Sequence, residues 1–342
     1  MSPPFPWSAY ERMVVNQPSI SIGLSAAIVS VEKENPSALV VAHADGEDAL
    51  PFGPFDPESQ RTLEQGLRKW VEEQTRFDLG YTEQLYTFGD RGRHLPTAAP
   101  ANAEGPRVVS VGYLALTRQG EDDASAGKRE TRWRSWYHYF PWEDWRGQKP
   151  PMIDATILPK LKGFVKGAAN PQGAELRRDR VRLSFGADGV AWDEEKVLER
   201  YELLYEAGLV EESRRDNGKP QSRHESGRDP SDMLGAAMLY DHRRILATAI
   251  ARLRGKMKYR PVVFELMAPS FTLLELQRTV EALQGRRLHK QNFRRLVAEQ
   301  GLVEGTGKFA ASARGRPAEL FHFRREVLRE RPAPGLRLGR RR

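Results

Sequence analysis

Two groups of residues carry the types and spacing that chemistry needs. In the first, Glu64, Arg68 and Glu72 stand four apart, so a helix would place them on one face, and Glu73 adds a second carboxylate beside Glu72. Adjacent carboxylates suit Mg²⁺, a hard cation that takes oxygen ligands and phosphate company, and Arg68 is placed to orient one of them. The same spacing also describes a plain surface ladder of Glu–Arg–Glu pairs, which spacing alone favours and which contributes only a few tenths of a kcal/mol per pair. In the second group, Lys290, Gln291, Asn292, Arg294 and Arg295 share an exposed face once Phe293, Leu296 and Val297 turn inward. Arg and Lys pair with guanine edges, Asn and Gln with adenine edges, and the remaining cations with phosphates. Arg314 and Arg316, beside Gly315 and Pro317, can reach a neighbouring minor groove or backbone.

The distribution of charge supports the second group. The chain of 342 residues nets +8, but residues 242–342 hold 24 Lys and Arg against 8 Glu, a net of +16, while residues 1–241 hold 30 basic and 38 acidic residues, a net of −8. A block this basic has the footprint of a polyanion binder, because cations that neutralise phosphates release condensed counterions. With no cysteine there is no disulfide framework, no thiolate metal site and no thiol nucleophile. The opening residues lack the basic start and apolar run of a secretory signal, and no apolar run approaches the roughly 18 residues that span a bilayer. A cytoplasmic protein without membrane contact is expected.

The elements that must position these residues can be read coarsely. A length of 342 residues predicts two domains or three, at about 100–200 residues each. Residues 19–31, 38–42 and 108–116 are apolar runs suited to strands. Residues 62–75 place Leu63, Leu67 and Trp70 on one helical stripe. The order strand, strand, helix, strand indicates an α/β or α+β domain. Residues 133–145 hold four of the seven tryptophans with Tyr137, Tyr139 and Phe140. They form either a packed core cluster, which is favoured, or a platform on which bases stack. A helix is expected at about 194–207. Residues 213–231 are charged, punctuated by Gly and Pro, and read as a linker. Leu239, Ile245, Leu246, Ile250 and Leu253 then recur at helical spacing. Next comes a helix capped by Ser270 or Thr272 and ended by Gly285, a second helix ended by Gly301, and a hairpin around a Gly-rich basic loop. Two short helices, a tight turn and a hairpin make a winged helix-turn-helix, and residues 331–342 read as a disordered basic tail.

Resemblance sharpens both halves. The segment LPFGPF followed by LEQGLRKWVEEQT resembles a degraded Nudix box, with Arg68, Glu72 and Glu73 matching the helix of the pattern. Lys69 stands where the pattern has Glu, Thr75 where it has Gly and Gln60 where it has Glu, and Gly53 lies one residue too far upstream. The stretches QLYTFGDRGR (84–93), RVVSVGYLAL (107–116), DHRRILATAIARLRGKMKYRPVVFELM (241–267) and FTLLELQ to FHF (271–323) resemble the Nudix-related transcriptional regulators of NAD metabolism, in their NadQ-like branch, over about residues 10–335. The resemblance implies an α+β chain: a Nudix-like mixed α/β/α sandwich over 10–212, a linker over 213–232, a connecting helix and C-terminal winged helix-turn-helix domain over 233–330, and the tail. It implies a repressor of NAD biosynthesis genes, homodimeric on palindromic double-stranded operator DNA, with NAD, ATP or ADP-ribose as effector and no obligatory cofactor. Arg68, Glu72 and Glu73 would survive as a phosphate or Mg²⁺ corner, and Asp90, Arg91 and Arg93 would approach the phosphates or ribose of the ligand. Two other readings stay open: an active Nudix hydrolase of ADP-ribose or NAD, and a general nucleic-acid binder indifferent to nucleotides.

Overall fold

The computed structural model describes residues 20–43, 47–77, 79–90, 107–119, 131–217, 234–310 and 317–336. Its sheet is built on β1 (Ile20–Glu32), a strand of small and apolar residues buried on both faces. Leu24, Ala26 and Ile28 point one way and Ala27 and Val29 the other, all fully buried. Around it lie β2 (Asn35–Ala42), β3 (Asp48–Ala49), β4 (Phe52–Pro54), β5 (Tyr81–Phe88), β6 (Arg107–Leu116) and β7 (Thr131–Ser135). These strands form one mixed sheet in the order β3-β2-β1-β6-β5, with β4 also on β1 and β7 also on β2. β1 and β6 run parallel, from Ile20 opposite Arg107 to Val29 opposite Leu116, whereas the other pairs are antiparallel.

Helix α1 (Leu63–Thr75) covers one face, capped by the Thr62 hydroxyl, with Leu67 and Val71 packed on Leu24, Ile28 and Leu39. After β7 come α2 (Trp136–Tyr139), α3 (Leu158–Lys166), α4 (Pro171–Phe185), α5 (Val197–Glu206), α6 (Glu211–Asp216) and α7 (His242–Lys256). The opposite face is covered by α7, which packs on β1, β5 and β6. The result is the expected α/β/α sandwich. Gly112 of β6 lies directly beneath Ile245 of α7, where a Cβ would crowd the Ile245 side chain. Among the described residues no helix is long and apolar enough to cross a membrane.

The aromatic stretch 133–145 is largely core, as the packing reading favoured: Trp136, Tyr139, Phe140 and Trp142 are fully buried, and Phe140 meets Trp142 and Tyr201 edge to face. Inside it sits a charge. Glu143, 1% exposed, accepts from Arg200 Nε at 2.5 Å and Nη2 at 2.9 Å, and from Arg254 Nη1 at 2.6 Å, both arginines being fully buried. Buried ions are tolerated only when paired and hydrogen-bonded, and the triad meets that condition.

The last quarter is a winged helix. Thr272 and Glu275 cap α8 (Leu273–Gln284) reciprocally, and Gly285 ends it at φ +71°. Helix α9 (Lys290–Gln300) ends at Gly301, and β8 (Val303–Phe309) pairs with β9 (Glu319–Phe323), followed by α10 (Val327–Glu330). Phe271 and Phe321 exchange backbone hydrogen bonds of 2.9 and 2.8 Å, and Phe264 stacks on Phe323, fixing the hairpin to the helices.

Three expectations change. Residues 213–217 are not linker, because 213–216 complete α6, where Glu212 is buried and accepts from Arg243 and the Met238 N–H. Arg215, which the pattern leaves in solvent, has its side chain turned inward and paired with Asp216 and Glu47, and residues 218–233 lie outside the described residues. The tail does not begin at 331. Leu336 is fully buried and its N–H donates to the Met257 carbonyl at 2.7 Å, since an apolar side chain and a free helix-end carbonyl offer both contacts. Finally, part of the +16 is not a surface footprint, because Arg243 and Arg254 are buried in ion pairs.

Removing the charge of Glu143 would leave two buried guanidinium groups uncompensated. Glu143→Gln is expected to lower unfolding free energy by about 3–5 kcal/mol. Glu206→Gln, which breaks an exposed pair with Arg180, should cost under about 1 kcal/mol. Urea denaturation of the two variants measures the contrast, and equal midpoints would contradict it.

Candidate nucleic-acid interface and ligand corner

Helix α9 buries Phe293 and Val297 to 2% and 1% exposure and half-buries Leu296. That rotation leaves Lys290, Gln291, Asn292, Arg294 and Arg295 exposed on the outer face. Arg295 meets Glu299 only at 3.8 Å, with both side chains largely in solvent, so the pair restrains it weakly. Arg314 and Arg316 lie outside the described residues. The face therefore presents hydrogen-bond donors and acceptors at one- and three-residue intervals, as a helix lying in a major groove requires.

What seats this helix was not visible in the sequence. A helix end leaves its last carbonyls without internal partners. At the end of α8 these are taken by groups from the sheet half of the chain and from α7. The Tyr137 hydroxyl donates to the Ala282 carbonyl at 2.6 Å, Arg254 Nε to Leu283 at 2.8 Å, and the Trp145 N–H to Gly285 at 2.7 Å. Burial pushes the Tyr137 hydroxyl up, so it keeps the proton that it donates. Gly285 is required twice: its φ is left-handed, and a Cβ would collide with the Glu143 carbonyl. Arg286 adds a pair to Glu194 at 2.7 Å. The density of aromatic residues was the only sequence signal for this joint.

The predicted phosphate corner is rearranged. Arg68 does not stand free for a ligand: it donates to Glu64 at 2.9 and 3.1 Å, to the Gly80 carbonyl at 3.3 Å and to the Leu79 carbonyl, tying α1 to the start of β5. Glu64 also accepts from Thr82 at 2.9 Å. Glu72 is exposed and Glu73 half-buried one turn farther on. Gln60, where the Nudix pattern has Glu, is buried, and its carbonyl oxygen accepts the Asp56 N–H at 3.0 Å. Gly53 underlies the Trp70 ring, whose Nε1 donates to the Pro54 carbonyl at 2.7 Å. Among the described residues no group of three or more His, Asp or Glu is placed to hold a metal. With an amide at 60 and Lys69 beside Arg68, the donor set does not fit Mg²⁺. Asp90 is paired with Arg244, which also holds Asp241 at 3.2 Å and Glu202 at 2.6 Å. Arg91 and Arg93 lie outside the described residues. Arg68 is thus a structural tie, and Arg68→Ala is expected to cost about 1–3 kcal/mol of stability without any nucleotide present. An unchanged thermal melt would restore it as a free ligand-binding group.

Comparison with known proteins matches these features. Residues 263–323 match the model of the NrtR DNA-binding winged helix domain. A segment of 86 residues is 41% identical to the ADPR responsive transcriptional repressor NtrR of Acinetobacter baylyi, covering 25% of this chain and 34% of that protein. The chain therefore spans about a third of the curated relative it matches. The crystal structure of Shewanella oneidensis NrtR complexed with a 27mer DNA superimposes with a TM-score of 0.50 at 19% identity, covering 90% of this chain and 94% of that one. The same protein without DNA gives a TM-score of 0.50 at 19% identity over 90% and 95%. Residues 263–323 therefore match a winged helix of the NrtR DNA-binding type, and the chain shares the fold of Shewanella oneidensis NrtR, here a mixed-sheet domain followed by a winged helix.

Proposed function

We propose that this chain is a cytoplasmic transcriptional repressor of NAD biosynthesis genes, reading operator DNA with α9 and the wing and sensing an NAD-related adenine nucleotide with its Nudix domain. The observation that carries the reading is the recognition helix itself. Five polar side chains face solvent on α9, while the turn before it is fixed to the aromatic core beside the Nudix sheet. ADP-ribose is the leading effector, since the Acinetobacter relative is ADPR responsive, with NAD and ATP behind it. Glu72 and Glu73, with Asp90, Arg91 and Arg93, are the proposed ligand contacts, and Arg68 keeps their scaffold in place. The reader is a homodimer on a palindromic site, where Arg314 and Arg316 of the wing supply further contacts. An effector acts only through unequal affinity for two arrangements, with a coupling of typically about 1–3 kcal/mol.

Hydrolysis is assigned no role, because a catalytic carboxylate set is broken at Gln60 and Lys69. The retained, accessible Glu72 and Glu73 are what favours the competing reading of an ADP-ribose or NAD hydrolase using Mg²⁺.

Two measurements decide between them. A gel shift on the promoter upstream of NAD biosynthesis genes, titrated with ADP-ribose, NAD and ATP, should respond to at least one nucleotide. On that DNA, Arg294→Ala or Arg295→Ala should lose about 1–3 kcal/mol of binding while nucleotide affinity holds. Unchanged shifts in both variants would remove α9 as the reader. In the second, AMP release from ADP-ribose with Mg²⁺ should stay at background, and steady turnover abolished by Glu73→Gln would establish the hydrolase instead.

A further inference from the structure

The tip of the β1–β2 hairpin reaches the helix-turn-helix. Its two turn residues, Lys33 and Glu34, have φ of 47° and 66°. Positive φ at both centres defines a mirror-image turn that favours Asn-Gly, because a Cβ crowds the backbone there. A Lys-Glu pair in such a turn points to a side chain used for something other than turning. Glu34 is so used: its carboxylate meets Arg278 Nε at 3.2 Å and Arg287 Nη1 at 2.9 Å. The hydrogen bond from Arg287 holds the Glu34 carboxyl below the usual carboxylate range. Arg146, itself paired with Asp144 at 2.8 Å, donates to the Glu34 carbonyl and sets where the tip stands.

The two arginines held this way lie on α8 and in the turn three residues before α9, and their side chains are 51% and 55% exposed; Arg287 is also anchored on the buried Glu281 carboxylate at 2.8 Å, which fixes its guanidinium whether or not Glu34 is there. In helix-turn-helix proteins the first helix crosses the phosphate backbone, and phosphate contacts fix register without reading bases. Guanidinium groups bind carboxylate and phosphate oxygens with the same fork, so the Glu34 carboxylate uses the donors that a phosphate would use.

We propose that Arg278 and Arg287 form a clamp for the phosphodiester backbone of duplex DNA, and that Glu34 fills this clamp when DNA is absent. The proposal rests on the DNA-binding reading above. Binding then exchanges one anion for another on the same guanidinium groups, independent of base sequence, and the carboxylate of the hairpin opposes it.

The test uses the full-length protein and a mixed-sequence duplex without an operator, across a KCl series. Glu34→Gln should tighten binding about two- to tenfold, as expected from freeing two half-exposed ion pairs, and steepen the salt dependence. Arg278→Gln and Arg287→Gln should each weaken binding and flatten the salt slope by about 1, while Arg287→Lys keeps most of it. In the Arg278→Gln/Arg287→Gln background, Glu34→Gln should change nothing. If Arg294→Ala weakens operator binding yet Glu34→Gln leaves duplex affinity unchanged or lowers it, the clamp is overturned while the DNA-binding reading stands. If the wild type binds neither duplex, that reading fails and the clamp with it.

Discussion

The Glu143 carboxylate, enclosed by aromatic rings and held by two buried guanidinium groups, sets how the halves of this chain meet. Taking three ions out of water costs several kcal/mol each, and only near-complete pairing offsets it. Arg254 serves this carboxylate with one nitrogen and the Leu283 carbonyl at the end of α8 with another. The turn of the helix-turn-helix therefore cannot shift by itself without stripping a partner from a buried charge. Any change in the attitude of α9 has to carry the joint with it or move between two discrete arrangements of the network, which is how packed interfaces respond to ligands.

Much of this architecture could be read from local pattern. β1, β2 and β6 are continuous apolar runs, and α8 and α9 are bounded by a capping Thr272 and by Gly285 and Gly301, so periodicity and end signals located them. The outward face of α9 followed from the same spacing. β5 leaves no signal because YTEQLYTF mixes polar and apolar residues without clean alternation, and β7 none because its Trp133 belongs to the aromatic stretch. α4 is charged nearly all round and offers no apolar stripe. The joint itself was beyond reach: Tyr137 with Ala282, or Glu143 with Arg254, are pairs between distant segments, and such pairs leave no period in the chain. The charge count erred for a related reason, since it cannot tell a solvated arginine from one sealed inside the fold.

The corner that resembles a Nudix box shows how residues can match a pattern and serve packing. Arg68 sits where the pattern expects it, yet its guanidinium braces the start of β5 rather than orienting a metal-bound carboxylate. Gln60 is buried and uses its carbonyl oxygen to hold the Asp56 backbone. These contacts tie α1 to the loop before it and to the start of β5.

The double duty of α7 has a consequence for how the protein is made. This helix is the third layer of the sandwich, yet it lies beyond residues 218–233 and leads directly into the winged helix. Leu50 on the sheet side donates its N–H to His242 across 192 residues, and Glu34 waits 253 residues for Arg287. At a synthesis rate of roughly 5–20 residues per second, the hairpin precedes the arginine it holds by tens of seconds. Until residues 242–256 are made, Ala27, Val29, Leu114 and Leu116 lack α7 above them, and Glu143 lacks Arg254, one of its two cations. The sheet half is thus an incomplete domain until α7, beyond residues 218–233, has emerged, and until then the nascent chain has an open apolar face.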